Sequence, residues 1–140
     1  ITELPMIASD SIEEIRLDAV LEHLFRHVRL KALTEWHRVL KRGGVLRISY
    51  IPDFDVYAGL YVSRGAGVVS DPLDIDEVYR YSHGDPVPWN APEQIHKDIF
   101  TRKSVKRDLE RAGFSIVSLE NRCYRDEKIA LNIDVVARKP

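Results

Sequence analysis

The first regular pattern along the chain is an alternation of apolar and polar residues. Ile15, Leu17 and Ala19 alternate with charged side chains, and a period of two is typical of a strand with one buried face. Similar apolar segments recur further along the chain. The predicted strands are residues 13–20, 45–51, 114–119 and 130–137.

The second predicted strand should also have two distinct faces. Leu46, Ile48 and Tyr50 are expected on one face, and Arg47 and Ser49 on the other. Polar residues at Arg16, Asp18, Arg47, Ser49, Asn132 and Asp134 indicate that one face of the sheet is wet or lined by polar groups. Strands covered on both faces are usually continuous apolar runs.

Between these two strands the apolar spacing becomes helical. Leu33 and Trp36 belong to a stripe that predicts a helix over residues 28–42. Lys41 and Arg42 suit the negative end of its dipole, and Gly43-Gly44 is expected to cap it. Trp36 is expected in the core.

A different composition follows over residues 54–95. This stretch holds four of the seven glycines and four of the seven prolines, and short helices are plausible near residues 55–62 and 74–81. So long a connection inside a domain is usually a lid or a binding loop. Thr101 is a good N-cap for a last helix, which Gly113 should end.

Strand, helix, strand, lid, helix, strand, strand is an α/β order, with parallel pairing followed by one antiparallel return. The net charge of −1 gives no reason to expect a nucleic-acid or anionic-membrane partner. No apolar run approaches the ~20 residues that span a bilayer. The single cysteine, Cys123, excludes an internal disulfide and favours a reducing compartment, so a cytoplasmic location is expected.

Several short motifs resemble one known family. Residues 18–23 read Asp-Ala-Val-Leu-Glu-His, residues 35–44 read Glu-Trp-His-Arg-Val-Leu-Lys-Arg-Gly-Gly, and Pro52-Asp53 ends the second strand. With His96 and the Ala-Gly-Phe at 112–114, they resemble the C-terminal half of class I S-adenosylmethionine (SAM) dependent methyltransferases. The resemblance covers almost the whole chain.

The resemblance implies a truncated Rossmann-like domain over residues 1–140, with SAM as the cofactor and a small-molecule or unknown methyl acceptor. It implies about four strands, three parallel and the last antiparallel, with the last strand inserted between its two predecessors and helices mainly on one face. The glycine-rich loop of the family cannot be placed. The single Gly-x-Gly, at residues 65–67, follows the second strand and is read as a turn. The chain alone is therefore expected to be inactive.

The resemblance also implies roles for individual residues. Asp18, Ala19, Leu21, Glu22 and His23 would border the cofactor, Tyr50 and Trp89 would line the acceptor pocket, and His96 and Asp53 are the candidate catalytic residues. Many relatives have a small or polar residue and a histidine where Asp18 and Ala19 stand. Asp53 has a simpler alternative role as a helix cap.

Two further expectations concern partners and metals. The strand at 14–19 would have an open edge, which must be covered, charged or paired, so a homodimer through this edge is expected. The alternative function is a non-enzymatic dimerising or ligand-binding module. His23 and His27 are four apart, but zinc needs three or four ligands, so no metal site is expected. The chain begins at Ile1, which suggests either upstream residues or an excised fragment.

Overall fold

The computed structural model describes residues 2–63, 73–84, 90–125 and 127–140. The described strands are β1 (Ile12–Asp18), β2 (Leu40–Pro52), β3 (Ser115–Arg122) and β4 (Asn132–Arg138). The described helices are α1 (Arg26–Val39), α2 (Phe54–Ser63), α3 (Ile75–His83) and α4 (Arg102–Arg111). Short 3₁₀ turns occur at Leu21–His23 and Pro92–Gln94. Residues 65–67 and Trp89, which the sequence assigned to a turn and to the acceptor pocket, lie outside the described residues.

The four strands form one mixed sheet in the order β1-β2-β4-β3. β1 pairs with β2 in parallel, and β4 pairs antiparallel with both β2 and β3. The α/β class and the insertion of the last strand between its two predecessors are confirmed. Three strands were expected to be parallel, and β1, β2 and β3 do run in the same direction. Only β1 and β2 pair in parallel, however, because the other two ladders, β2–β4 and β3–β4, are antiparallel.

The core lies on one face of the sheet. Trp36 of α1 and Leu109 of α4 are almost fully buried against Leu46, Ile48 and the rest of this cluster. α2 and α3 form a smaller apolar cluster around Tyr57, Leu73 and Leu131.

The opposite side of the sheet is polar. Arg16, Arg47, Ser49 and Asp134 line a shallow groove there, and we call this side the polar face. The sequence correctly indicated a polar-lined face. Asn132 is an exception, because it is buried and donates to Glu127.

Helix α1 ends earlier than the sequence predicted. Its last residue is Val39, and Leu40 already has extended backbone angles (φ −67°, ψ 139°). Lys41-Arg42 therefore lie in β2, where a register shift marks a bulge in the β1–β2 ladder. Gly43 does have a positive φ of 76°, but its N–H donates to the carbonyl oxygen of Lys139 at 2.8 Å. The expected glycine helix cap is wrong, because pairing with the chain end draws this segment into the sheet.

The other helix boundaries follow local signals. The Thr101 hydroxyl accepts the Ser104 N–H at 3.1 Å and forms a capping box at the start of α4. Gly113, with φ 96°, follows the C-cap of α4 as expected. α2 and α3 coincide with the two short helices predicted within residues 54–95. Among the described helices, none combines the length and apolarity needed to cross a bilayer.

Candidate active site

The carboxyl ends of β1 and β2 meet at one edge of the sheet, and the backbone has unusual dihedral angles near the end of each strand. Ala19 directly follows β1 with φ 51°, and Tyr50 lies near the end of β2 with φ 65°. Non-glycine residues in this left-handed region cost about 1–3 kcal/mol each, and such strain clusters at functional sites. The Ala19 N–H donates to the Ser49 carbonyl, and the Tyr50 N–H donates to Oδ1 of Asp134, each at 3.0 Å.

The bulge at Tyr50 changes the side chains that face the core. The β2–β4 register shifts between Ile48 and Ile51, so Ile51 is buried instead of Tyr50. The prediction that Tyr50 shares a face with Leu46 is therefore wrong. The bulge turns the Tyr50 ring towards Tyr124, with 5.0 Å between ring centroids.

A cavity of about 160 Å³ lies at this edge, and we call it the strand-end cavity. Its lining includes four residues of the predicted cofactor and acceptor sites, namely Ala19, Glu22, Tyr50 and His96. A larger groove of about 740 Å³ runs along α1 beside residues 2–5. We place the site at the smaller cavity, because ligands of open α/β sheets bind at the carboxyl ends of the strands.

The buried carboxyl group of Glu22 is one electrostatic feature of this cavity. Glu22 is 2% exposed, and its Oε2 has no hydrogen-bond partner among the described residues. Burial raises the pKa of Glu22 from 4.5 to about 7. This carboxyl group can therefore exchange a proton near neutral pH.

Two histidines lie beside Glu22. The ring centroids of His23 and His96 are 5.0 Å apart in an edge-to-face arrangement. Nδ1 of His96 lies 3.0 Å from the carbonyl oxygen of Tyr81, and Nδ1 of His23 lies 3.3 Å from that of Ile95. The Glu22, His23 and His96 side chains thus form one cluster.

His96 reaches this position because residues 95–100 are tied to the preceding elements. The Lys97 N–H donates to the Glu22 carbonyl oxygen at 2.7 Å. Asp98 forms ion pairs with Arg26 and Arg29 of α1. The Phe100 carbonyl accepts an N–H from the first residue of α2 at 2.7 Å. Several contacts of this segment join sequence positions that are more than seventy residues apart.

The other predicted site residues have different surroundings. Leu21 is buried in the core. Asp18 is partly exposed and pairs with Arg16 at 3.1 Å. Asp53 is 1% exposed and is not among the residues that line the strand-end cavity. Its Oδ1 accepts the Asp55 N–H at 3.2 Å and its Oδ2 accepts from Asn121 at 2.9 Å. This geometry fits the capping alternative.

Sequence reasoning missed a polar wall of the cavity. The Tyr81 hydroxyl donates to Oε1 of Glu127 at 2.6 Å, while Asn132 donates to Oε2 at 3.0 Å. Burial, with the hydrogen bond to Glu127, raises the pKa of Tyr81. Tyr81 was visible only as one of many aromatic residues in the 54–95 stretch, and Glu127 lies in an aperiodic polar turn, so neither carried a distinct signal.

No protein-family model and no curated protein sequence matches the chain. Several solved structures, in contrast, match the chain. A SAM-dependent methyltransferase from Methanosarcina mazei matches with a TM-score of 0.63 and 18% identity, over 99% of this chain and 63% of its own. A Burkholderia thailandensis 1,6-didemethyltoxoflavin-N1-methyltransferase, with bound S-adenosylhomocysteine, matches with a TM-score of 0.61 and 15% identity, over 99% and 47%.

The same fold also occurs with other chemistry. The [4+2]-cyclase SpnF matches with a TM-score of 0.59 and 14% identity, over 99% of this chain and 53% of that protein. The chain thus spans between about half and two thirds of the length of these three proteins. At such identities the likeness concerns the fold alone. This chain has a methyltransferase-like fold.

Proposed function

We propose that the chain forms the acceptor-side part of a SAM-dependent methyltransferase domain that acts on a small-molecule acceptor. The strand-end cavity carries this assignment, because it combines strained backbone, a buried carboxyl group and a histidine at the carboxyl ends of β1 and β2. The cofactor side comprises Asp18, Ala19, Leu21, Glu22 and His23, and the acceptor side comprises Tyr50, Trp89, His96 and Asp53.

The residues present fit the methionine end of SAM. Ala19 has a small side chain, and it lines the strand-end cavity together with Glu22, whose Oε2 has no hydrogen-bond partner among the described residues. When bound, SAM supplies an electrophilic methyl group. The protein mainly orients the two reactants in line. Where the acceptor is a hydroxyl or a protonated amine, His96 or ionised Glu22 would accept its proton.

We propose that these 140 residues alone do not catalyse methyl transfer. The family binds the amino-acid end of SAM with a glycine-rich loop and the ribose with an acidic residue, and neither is identifiable in this sequence. We therefore expect weak cofactor binding and no turnover from this chain in isolation.

Cofactor-side binding can be tested by titrating S-adenosylhomocysteine into the ¹⁵N-labelled chain and following amide shifts by NMR. We expect saturable shifts centred on residues 18–23 at millimolar ligand, because this segment would contact the amino-acid end. D18A should weaken binding several-fold. D10A is the matched control, since Asp10 is an exposed carboxylate paired with Lys139.

Shifts scattered over the surface, or none at millimolar ligand, would overturn the cofactor-side assignment. An equal loss of affinity for S-adenosylhomocysteine in D18A and D10A would mean that the ligand binds through non-specific charge effects. The titration needs no enzymatic turnover, so it remains informative for a chain that is inactive alone.

A second candidate function is a non-enzymatic dimerising module. The observation that favours it is the position of β1 at an edge of the sheet, where one side of its backbone has no neighbouring strand among the described residues. A stable dimer that ignores S-adenosylhomocysteine would support this second function.

A further inference from the structure

We infer that Glu22, His23 and His96 form a binding site for a divalent transition-metal ion such as Zn²⁺. One carboxylate oxygen and two imidazole nitrogens, one from each residue, lie within 4.8 Å of one another. Ligand atoms around tetrahedral zinc are about 3.4 Å apart, given metal–ligand distances of about 2.1 Å. Side-chain rotations that move the ligand atoms by roughly an ångström would complete the site.

Both histidines have the environment that metal-bound imidazoles usually have. Nδ1 of each ring lies within hydrogen-bond distance of a backbone carbonyl, that of Ile95 for His23 and that of Tyr81 for His96. With the proton held on Nδ1, a neutral ring carries its lone pair on Nε2. Metal-ligating histidines commonly donate their second ring N–H to such a carbonyl, which fixes the tautomer and the ring orientation.

The carboxyl group of Glu22 supplies an independent indication. Its Oε2 is buried without a hydrogen-bond partner among the described residues, and an unpaired buried carboxylate is costly. A cation would compensate its charge and its lost hydration together. The two neighbouring imidazoles cannot balance the negative charge of the Glu22 carboxylate while they are neutral.

The ligand set selects the class of metal. Two imidazoles and one carboxylate suit zinc and other transition metals, whereas Mg²⁺ and Ca²⁺ prefer all-oxygen ligands. Glu22 and His96 line the strand-end cavity, so further coordination positions open towards it and would take water or an oxygen donor of a bound ligand. Of the neighbouring cations, Lys97 donates to the carbonyls of His23 and Glu93, and Arg80 lines the same cavity as Glu127.

The metal site differs from the histidine pair considered in the sequence. His27 is exposed and stacks on Phe25, with 5.6 Å between ring centroids. The partner of His23 is His96, which follows it by 73 positions in the sequence. Metal binding by these three residues does not require SAM, so the zinc titration below and the S-adenosylhomocysteine titration above can give opposite results.

Calorimetric titration of ZnCl₂ into tag-free, EDTA-treated and dialysed protein tests the site. A C123S background is used, because Cys123 is an exposed thiol that could bind zinc. We expect one ion per chain, with E22Q and H96Q each weakening Zn²⁺ binding by about tenfold or more. H27Q is the matched control and should leave the affinity within about twofold. MgCl₂ should bind far more weakly than ZnCl₂.

Thermal unfolding gives a second measurement that does not depend on activity. Zn²⁺ should raise the Tm of the C123S protein and of H27Q but not that of E22Q, and circular dichroism without metal would show that the variants fold. Absence of one-to-one zinc binding up to millimolar concentration would overturn the inference. So would zinc affinity that E22Q and H96Q leave unchanged.

Discussion

At the scale of single residues, the Glu22 carboxyl group lies in surroundings that oppose its charge. It is almost fully buried and lacks a partner for one oxygen among the described residues. Burial therefore raises its pKa to about 7. Groups with pKa values moved towards neutrality by burial are candidates for proton transfer or ligand binding, which agrees with the position of Glu22 in the strand-end cavity.

This shift makes stability depend on pH in a defined direction. As the pH rises from 4.5 to about 7, the unfolded chain loses the Glu22 proton while the folded chain keeps it. The free energy of unfolding therefore falls over this window, by on the order of 3 kcal/mol if Glu22 acts alone. E22Q removes this titration, so we expect it to gain stability relative to the natural chain between pH 4.5 and 8.

Urea denaturation in EDTA at several pH values measures this difference. E110Q is the control, because Glu110 is half exposed on α4 and pairs only loosely with Lys106 at 3.8 Å; it should change stability little. Curves for E22Q and the natural chain that run parallel from pH 4.5 to 8 would contradict the assignment of the raised pKa to Glu22.

At the scale of elements, the position of His96 depends on an ion-pair network between α1, residues 95–100 and α4. Arg29 is 5% exposed, and its guanidinium group contacts both Asp98 and Asp108. It also lies over the Phe100 ring, 4.6 Å from the centroid. One buried cation thus holds two carboxylates from different segments, and Asp98 is only two residues from His96.

R29M should be strongly destabilising. It leaves two carboxylates without their shared cation, and breaking a buried ion pair costs about 3–5 kcal/mol. R26M is the control: Arg26 also pairs with Asp98, at 2.6 Å, but its side chain is 73% exposed, so a much smaller loss is expected. Chemical denaturation of both variants gives the comparison. Equal losses for R29M and R26M would show that burial of Arg29 is not what matters.

At the scale of the whole molecule, one edge of β1 has no neighbouring strand among the described residues, and we expect a second copy of the chain to pair there. We propose that two β1 strands pair antiparallel around Ile15. This register would place Glu14 of each strand opposite Arg16 of the other, and both side chains lie on the polar face and are at least half exposed. Opposite charges directly across a ladder stabilise such pairs.

Charge exchange at these two positions tests the dimer. R16E should lower the dimer fraction in sedimentation velocity at micromolar concentration, because it places two glutamates opposite each other. The double variant E14R/R16E restores opposite charges and should recover the dimer. A natural chain that stays monomeric at roughly 100 µM would contradict self-pairing.

Much of the architecture was determined by local sequence. The helical spacing around Trp36, the Thr101 N-cap and the stop at Gly113 predicted elements that the structure confirms. These signals are readable because they depend on residues within one or two turns of each other. The alternation of apolar and polar residues predicted the sheet, its core face and its polar face in the same way.

Only the tertiary structure decided the features that long-range contacts create. Gly43 was a plausible helix cap until pairing with Lys139 drew it into β2, and Tyr50 left the core face because a bulge shifts the β2–β4 register. The Glu22–His23–His96 cluster required residues 95–100 to fold back on the turn after β1. A sequence pattern records neighbours along the chain, whereas burial, raised pKa values and ligand geometry arise from residues that meet only after folding.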